Sequence, residues 1–360
     1  MLFTPALPTG GPVSAVTAPD GGPAWMAANY ETAATVLADP RFGVEPPGAS
    51  EADNHTLFRD GAAHRRLRAL VSRAFTPGRV AALAPRAREL AESAVAAMVA
   101  TGPPADLVAD LAAPLSATVI AELLGVRIDD RAEFRRFADG ALMADPGDRA
   151  ALVSGWETFT AYAAELVEAR RTEPGEDLLS GLIAVRDAEE GRLSEDELVG
   201  MVVVLVGAGY VSSRNAIAVG AVHLTGRLDT VDEQVVEEAL RLASGLTGDP
   251  MPRWAREEVE LGGVTIAAGD RVLVSLAAAN RDPAAFADPD AFRPGRPPHL
   301  AFGRGPHHCL GAAVARLELQ AALTALARGL PGLRLAVPPE EIPWTHGHVD
   351  SGPSALPVTW

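Results

Sequence analysis

Apolar residues recur at three- and four-residue steps through most of the chain between residues 61 and 245, and that spacing predicts helices. Val80 to Val99, Leu107 to Leu124, Arg131 to Leu142 and Ala150 to Arg171 all carry it. Ser194-Glu195-Asp196-Glu197 has the form of a capping box, in which serine hydroxyl and glutamate carboxylate satisfy each other's free N–H groups. It opens a helix to about Leu224 whose middle is apolar all round, as suits a helix through the centre of a protein. Asp232 to Leu242 predicts one more helix.

The pattern changes at both ends. Pro12 to Val16 and Ala24 to Ala28 are short apolar runs around Asp20-Gly21-Gly22, a hairpin-like turn. Tyr30 to Ala38 reads as a helix stopped by Asp39-Pro40. Residues 45 to 60 are rich in Pro, Gly, Ser and Asp and predict a loop. After residue 250, Val259 to Leu261, Val264 to Ile266 and Arg271 to Leu276 predict strands separated by Gly262-Gly263 and Gly269-Asp270. Arg281 to Pro298 is irregular, a helix follows to about Arg328, and Leu333 to Trp360 reads as short strands around Asp350-Ser351-Gly352-Pro353. The expected architecture is mainly α with a minor β region in a single domain over 1–360. Strand-rich parts lie at about 1–45 and 250–280, a helical core at about 61–245, a loop and helix at about 300–328, and terminal strands at about 333–360.

The chain has 360 residues, 48% hydrophobic and 22% charged, which suits a soluble globular protein with a large core. The opening residues show neither a basic segment nor a long apolar run of the secretory kind. The longest mostly apolar uncharged run, Leu198 to Val211, is too short by itself to span a bilayer. A formal net charge of −16 argues against nucleic acid and anionic membrane surfaces as partners. The lone cysteine excludes an intrachain disulfide and fits a reducing compartment, so a cytoplasmic, soluble protein is expected.

That cysteine carries the sharpest signal. Phe302-Gly303-Arg304-Gly305-Pro306-His307-His308-Cys309-Leu310-Gly311 runs directly into a predicted helix. Cys309 therefore stands where a turn-rich loop meets a helix N-terminus, whose free N–H groups favour a thiolate. A thiolate fixed in this way is a suitable axial ligand for heme iron.

The segment resembles the heme-binding loop of the cytochrome P450 family, Phe-Gly-x-Gly-x-His/Arg-x-Cys-x-Gly, with every fixed position filled. The resemblance extends over essentially the whole chain. It implies the cytochrome P450 fold, with heme b between the central long helix and the Cys-loop helix and Cys309 as iron ligand. Phe302, Gly303 and Gly311 would line the heme, and His64, Arg68, Arg253 and His307 would meet its propionates. Two propionates entering a partly buried site require several cationic donors. Glu238-Ala239-Leu240-Arg241 resembles the family's structural Glu-x-x-Arg pair. The family's usual third basic position is Ala291 here, with Arg293 or Arg296 as substitutes.

The central helix departs from the family. Where the pattern is Ala/Gly-Gly-x-Asp/Glu-Thr-Thr, this chain has Ala208-Gly209-Tyr210-Val211-Ser212-Ser213. Gly209 is kept, Ser212 holds the alcohol position, and Val211 stands where a proton-relaying acid is usual. Valine cannot relay a proton. The resemblance implies a monooxygenase or oxidase acting on a small, specialised-metabolite substrate by hydroxylation, epoxidation or oxidative coupling, with atypical proton delivery. Tyr210, Ala208, Leu246 and Met251 are expected at the substrate pocket. A ferredoxin and ferredoxin reductase are the expected electron donors, meeting Arg65, Arg66, Arg73, Arg79, Arg304 and Arg316 beside the Cys309 loop. Two alternatives remain: a non-redox heme-pocket catalyst of cyclisation or rearrangement, motivated by Val211, and a non-catalytic helper of a biosynthetic enzyme.

Overall fold

The computed structural model describes residues 8, 10–49, 57–73, 75–143, 148–188, 193–224, 230–244, 251–346 and 351–360. In chain order the strands and helices are β1 (Val13–Thr17), β2 (Pro23–Ala27), α1 (Tyr30–Ala38), β3 (Phe42–Gly43), α2 (Gly61–Ser72), α3 (Pro77–Thr101), β4 (Ala105–Asp106), α4 (Ala113–Leu123), α5 (Arg131–Leu142), α6 (Arg149–Thr172), α7 (Leu178–Ala188), α8 (Glu195–Leu224) and α9 (Glu233–Ala243). There follow β5 (Met251–Ala255), β6 (Val259–Leu261), β7 (Val264–Ile266), β8 (Arg271–Val274), α10 (Leu276–Ala279), α11 (Ala312–Gly329), β9 (Arg334–Leu335), β10 (Trp344–His346), β11 (Ser351–Pro353) and β12 (Pro357–Thr359).

Local chemistry sets most boundaries. Asn29 caps α1 by accepting from the Thr32 N–H. The capping box forms at α8, with Glu197 N–H on Ser194 Oγ at 3.0 Å and Ser194 N–H on Glu197 Oε2 at 2.9 Å. Asp232 caps α9 through the Val235 N–H. One expectation needs correction. Leu107 to Leu124 is not one regular helix, because a wide π turn over Val108–Ala112 precedes α4. Met251 lies in β5, which pairs antiparallel with β8, and α7 is a helix within the expected helical part whose bounds the residue pattern did not mark.

The helix α8 organises the core. Its first half packs Leu198, Met201, Val202 and Val206 among α2, α4, α5, α6 and α7. Its second half packs Ile217, Ala218, Ala221 and Val222 among α3, α9 and α11. The helix is long and apolar enough to cross a membrane, unlike the Leu198 to Val211 run alone, but 67% of its apolar window is buried inside the protein, as in the core helix of a folded domain. On one side lies a five-stranded sheet in the order β1-β2-β8-β5-β3, in which β2 and β8 run parallel and the other neighbours antiparallel.

A buried carboxylate joins α9 to the segment before the cysteine loop. Glu238 Oε1 and Oε2 accept from Arg241 Nη2 and Nε, both at 2.8 Å, and both side chains are 1% exposed. The third basic position is taken by Arg296, whose Nε lies 3.0 Å from Glu238 Oε1. The Arg293 backbone N–H also donates to Glu238 Oε1 at 2.8 Å, while the Arg293 side chain turns outward to Asp288. Arg241 then donates to the Asn280 carbonyl, and Asn280 Oδ1 accepts the Leu300 N–H. Replacing Glu238 with Ala leaves the Arg241 cation buried and unpaired. Denaturant unfolding should show a loss of about 3–5 kcal/mol, whereas an unchanged midpoint would refute this bracing role.

Candidate cofactor site around Cys309

The loop before α11 is shaped by two glycines in left-handed conformations, Gly303 at φ 66° and Gly305 at φ 76°. Gly305 has a second constraint, since a Cβ there would sit 2.5 Å from the Leu37 carbonyl oxygen at the end of α1. The Phe302 carbonyl accepts the Cys309 N–H at 2.9 Å and closes the loop. Arg316, one turn into α11, lies 4.6 Å above the Phe302 ring and is held by Glu237 at 2.6 and 2.9 Å. Gly311 is the N-cap of α11, and a Cβ built on it would meet open space.

Cys309 is exposed, yet protein atoms crowd it enough to hinder its hydration. Burial pushes its thiol pKa up, against the Gly311 N–H and the charges of Arg68 and Arg316, which pull it down. The helix end pulls in the expected direction, but desolvation is the larger effect. Coordination to a metal would supply the missing driving force for deprotonation.

The four expected propionate donors occupy neighbouring places. His64 on α2 stacks on His307 of the loop, with ring centroids 4.1 Å apart. His307 Nε2 is 3.2 Å from Asp60 Oδ1. Arg68, one turn along α2, donates to the His308 carbonyl at 2.6 Å. Arg253 on β5 is 3% exposed and donates to the Pro252 carbonyl, and Asp60 is the charge that acts on it. Asp60 was not foreseen as part of this group. It also holds Arg256 at 2.7 Å and the Val44 and Glu45 N–H groups, so it anchors the wall in which His307 sits. Its place before a helix, as the N-cap of α2, was the one available sequence signal.

These residues fit an anionic, flat group. His64 Nε2 is buried with no hydrogen-bond partner, and burial, followed by His307 and Arg68, lowers the His64 pKa to about 4, which leaves the ring a neutral donor at neutral pH. Arg253 is a buried cation, and no carboxylate forms an ion pair with it among the described residues. Burying such donors without acceptors is costly, and an anion bridging them removes the cost.

The central helix presents a narrow face. Ala208 and Ser212, one turn apart, are exposed on a helix that is otherwise largely buried. The Ser212 hydroxyl donates back to the Ala208 carbonyl. A Cβ on Gly209 would lie 3.1 Å from Ile120 Cδ1, so a larger residue there would press on that α4 side chain. Tyr210 is corrected from pocket residue to core residue: it is 1% exposed and its hydroxyl donates to Asp139 Oδ1 at 2.7 Å on α5. Val211 is fully buried in the same apolar cluster. Leu246 lies outside the described residues, as do parts of the loop over 45 to 60, and Met251 is placed only by its backbone. The turn at Ser351–Pro353 docks on α8, where Arg214 and Asn215 donate to the Pro353 and Ser351 carbonyls. Of the arginines expected on a docking face, Arg66 is engaged by Glu197 and Arg316 by Glu237, while Arg65, Arg73, Arg79 and Arg304 are exposed.

Comparison with known proteins bears on the family and the fold. The Cytochrome P450 family model matches residues 230–329. The mycinamicin IV hydroxylase/epoxidase of Micromonospora griseorubida is 42% identical over 97% of this chain and 92% of its own length. The chain belongs to the cytochrome P450 family. The nocardicin C N-oxygenase of Nocardia uniformis subsp. tsuyamanensis is 39% identical to this cytochrome P450 over 97% of the chain and 92% of its own length. The crystal structure of the LnmA cytochrome P450 hydroxylase from the leinamycin pathway of Streptomyces atroolivaceus S-140 matches with a TM-score of 0.87 at 38% identity, covering 97% of this chain and 93% of that one. The fold is thus that of a cytochrome P450 monooxygenase, and the family implies heme iron as cofactor.

Two substitutions on α8 test its buried side. Tyr210→Phe should cost about 1 kcal/mol of stability through the lost bond to Asp139 and leave ligand-induced spectral shifts unchanged. Val211→Asp should destabilise by about 1–3 kcal/mol, as an unpaired polar group is forced into the core. Thermal unfolding and ligand titration together check both, and a shifted ligand response in Tyr210→Phe would return that residue to the pocket.

Proposed function

We propose that this cytochrome P450 is a heme-b monooxygenase or oxidase that oxygenates or couples a small specialised-metabolite substrate, with electrons from a ferredoxin and its reductase. The observation that carries the reading is Cys309 at the start of α11, crowded by protein atoms and acted on by Arg68, in a loop whose His307 stacks on the unpartnered donor His64. The relatives support the substrate class, since their names describe oxygenation of mycinamicin IV and nocardicin C.

The residues have separate tasks in this reading. Cys309 holds the iron as a thiolate. Arg253 and Arg68 would neutralise the charge of the propionates, His64 and His307 would donate hydrogen bonds to them, and Asp60 holds His307 through the 3.2 Å contact. Heme bound in this way supplies dioxygen activation, helped by electron donation from the thiolate. Ser212 presents a hydroxyl on the exposed face of α8, beside Ala208. Ala208 keeps that face free of bulk, so a substrate can lie against it. Val211 takes no part in proton transfer, being an alkyl side chain packed in the core.

The reduced protein with carbon monoxide should show the red-shifted absorption of a thiolate-ligated heme, and Cys309→Ala should lose it. Arg253→Gln should weaken heme retention by about 1.5–3 kcal/mol, the cost of a lost charged hydrogen bond, measured by heme transfer to an acceptor protein. Product formed anaerobically without reductant would replace this reading with non-redox catalysis, and a purified protein without heme absorption would replace it with the helper role.

A further inference from the structure

Glu237 on α9 reaches across to Arg316 on α11, the helix that follows the cysteine loop. Its Oε1 and Oε2 accept from Arg316 Nε and Nη2 at 2.6 and 2.9 Å, a two-pronged pairing that fixes the plane of the guanidinium. The guanidinium carbon lies 4.6 Å from the centre of the Phe302 ring, and the Phe302 carbonyl accepts the Cys309 N–H at 2.9 Å. Glu237 is held from a second side by His299, whose Nε2 lies 3.3 Å from Glu237 Oε2. His299 Nδ1 accepts the Ala301 N–H at 3.1 Å, so the ring proton sits on Nε2 and faces the carboxylate. The approach is too oblique for a full hydrogen bond, and it acts through charge and dipole. The His299 ring is itself buried beside Phe302, with centroids 6.0 Å apart.

Among the described residues, two cations act on Cys309, Arg68 and Arg316, and both favour its thiolate. They differ in what else they meet. Arg68 donates to the His308 carbonyl and forms no ion pair among the described residues. Arg316 carries its own carboxylate. A guanidinium with a carboxylate against it acts at longer range as a dipole, so less of its positive field reaches the sulfur. Glu237 keeps its charge at neutral pH: burial pushes its pKa up, but His299 and Arg316 outweigh burial and bring it down to about 2.

We propose that Glu237 is a positioning residue for the heme thiolate, and that through Arg316 it sets how strongly Cys309 donates charge to the iron. The proposal rests on the heme–thiolate reading. Glu237 holds the guanidinium over Phe302 and offsets its charge, so the sulfur keeps more electron density for the iron. Without Glu237, the same cation would stabilise the negative charge that one-electron reduction adds, and the iron would be easier to reduce.

The experiment uses the heme-loaded protein without substrate, titrated with dithionite as the electron source, and reads the reduction potential and the ferrous carbon monoxide band. Glu237→Gln should raise the ferrous-to-ferric ratio at a fixed potential by about threefold, within the range of a half-exposed charge pair. That is a rise of about 30 mV, at about 59 mV per tenfold for one electron. The carbon monoxide band should move to shorter wavelength as the thiolate donates less. Arg316→Gln leaves Glu237 without its cation and should move both readings the opposite way, and the double variant should return close to wild type. A purely structural pair would lower thermal stability in all three variants without shifts of opposite sign. If Glu237→Gln folds poorly, Arg316→Gln decides alone, since its potential must fall. Unmoved potentials, or shifts of the same sign in the two single variants, overturn the proposal while the thiolate spectrum stands. A protein that binds no heme overturns the heme–thiolate reading itself and this proposal with it.

Discussion

The position of the cysteine loop depends on one buried carboxylate. Glu238 gathers Arg241, Arg296 and the Arg293 N–H, and Arg241 passes the connection through Asn280 to the backbone of Leu300. The Leu300 carbonyl in turn accepts the Gly303 N–H, which opens the turn that ends at Cys309. Each link is a hydrogen bond removed from water, so each is costly to leave unmade. The irregular stretch from Arg281 to Pro298 has little regular secondary structure to define its course. The charge network gives it one, and it delivers the loop to a fixed place against α1 and α8.

Much of this was legible in the sequence because it depends on local rules. The capping box at Ser194, the Asp39-Pro40 stop after α1 and the glycines at 303 and 305 act within a few residues of themselves, and each appears where its chemistry predicts. What the sequence concealed depends on long-range contacts. Tyr210 fits a pocket wall as well as a core position until Asp139 on α5 is seen beside it. Asp60 looks like any helix cap until the fold brings His307 and Arg256 to it. Arg296 could be chosen over Arg293 only from the path of the chain, because both lie a few residues from the usual position. β5 was hidden because its partner β8 lies beyond two further strands in sequence.

The site has an uneven charge balance. On the side of α2 and β5, His64 Nε2 has no hydrogen-bond partner and Arg253 no ion pair among the described residues. On the side of α8 and α11, Glu318 is buried and has no ion pair among the described residues, and burial pushes its carboxyl pKa up. The first imbalance invites a dianion. A ligand that satisfies the first adds its binding free energy to the stability of the folded chain, so the protein should fold most securely around its cofactor.

The last residues close the core. Leu356 is fully buried, its N–H meets Asp106 Oδ1, and its carbonyl accepts the Leu107 N–H where the chain enters the wide turn before α4. Gly352 sits so tightly on Asn215 of α8 that a Cβ would overlap it. A ribosome therefore has to pass residue 356 before the central helix can acquire these neighbours. During synthesis the middle of the molecule waits for its end, and that interval is when the apolar faces of α4 and α8 would be open to a chaperone.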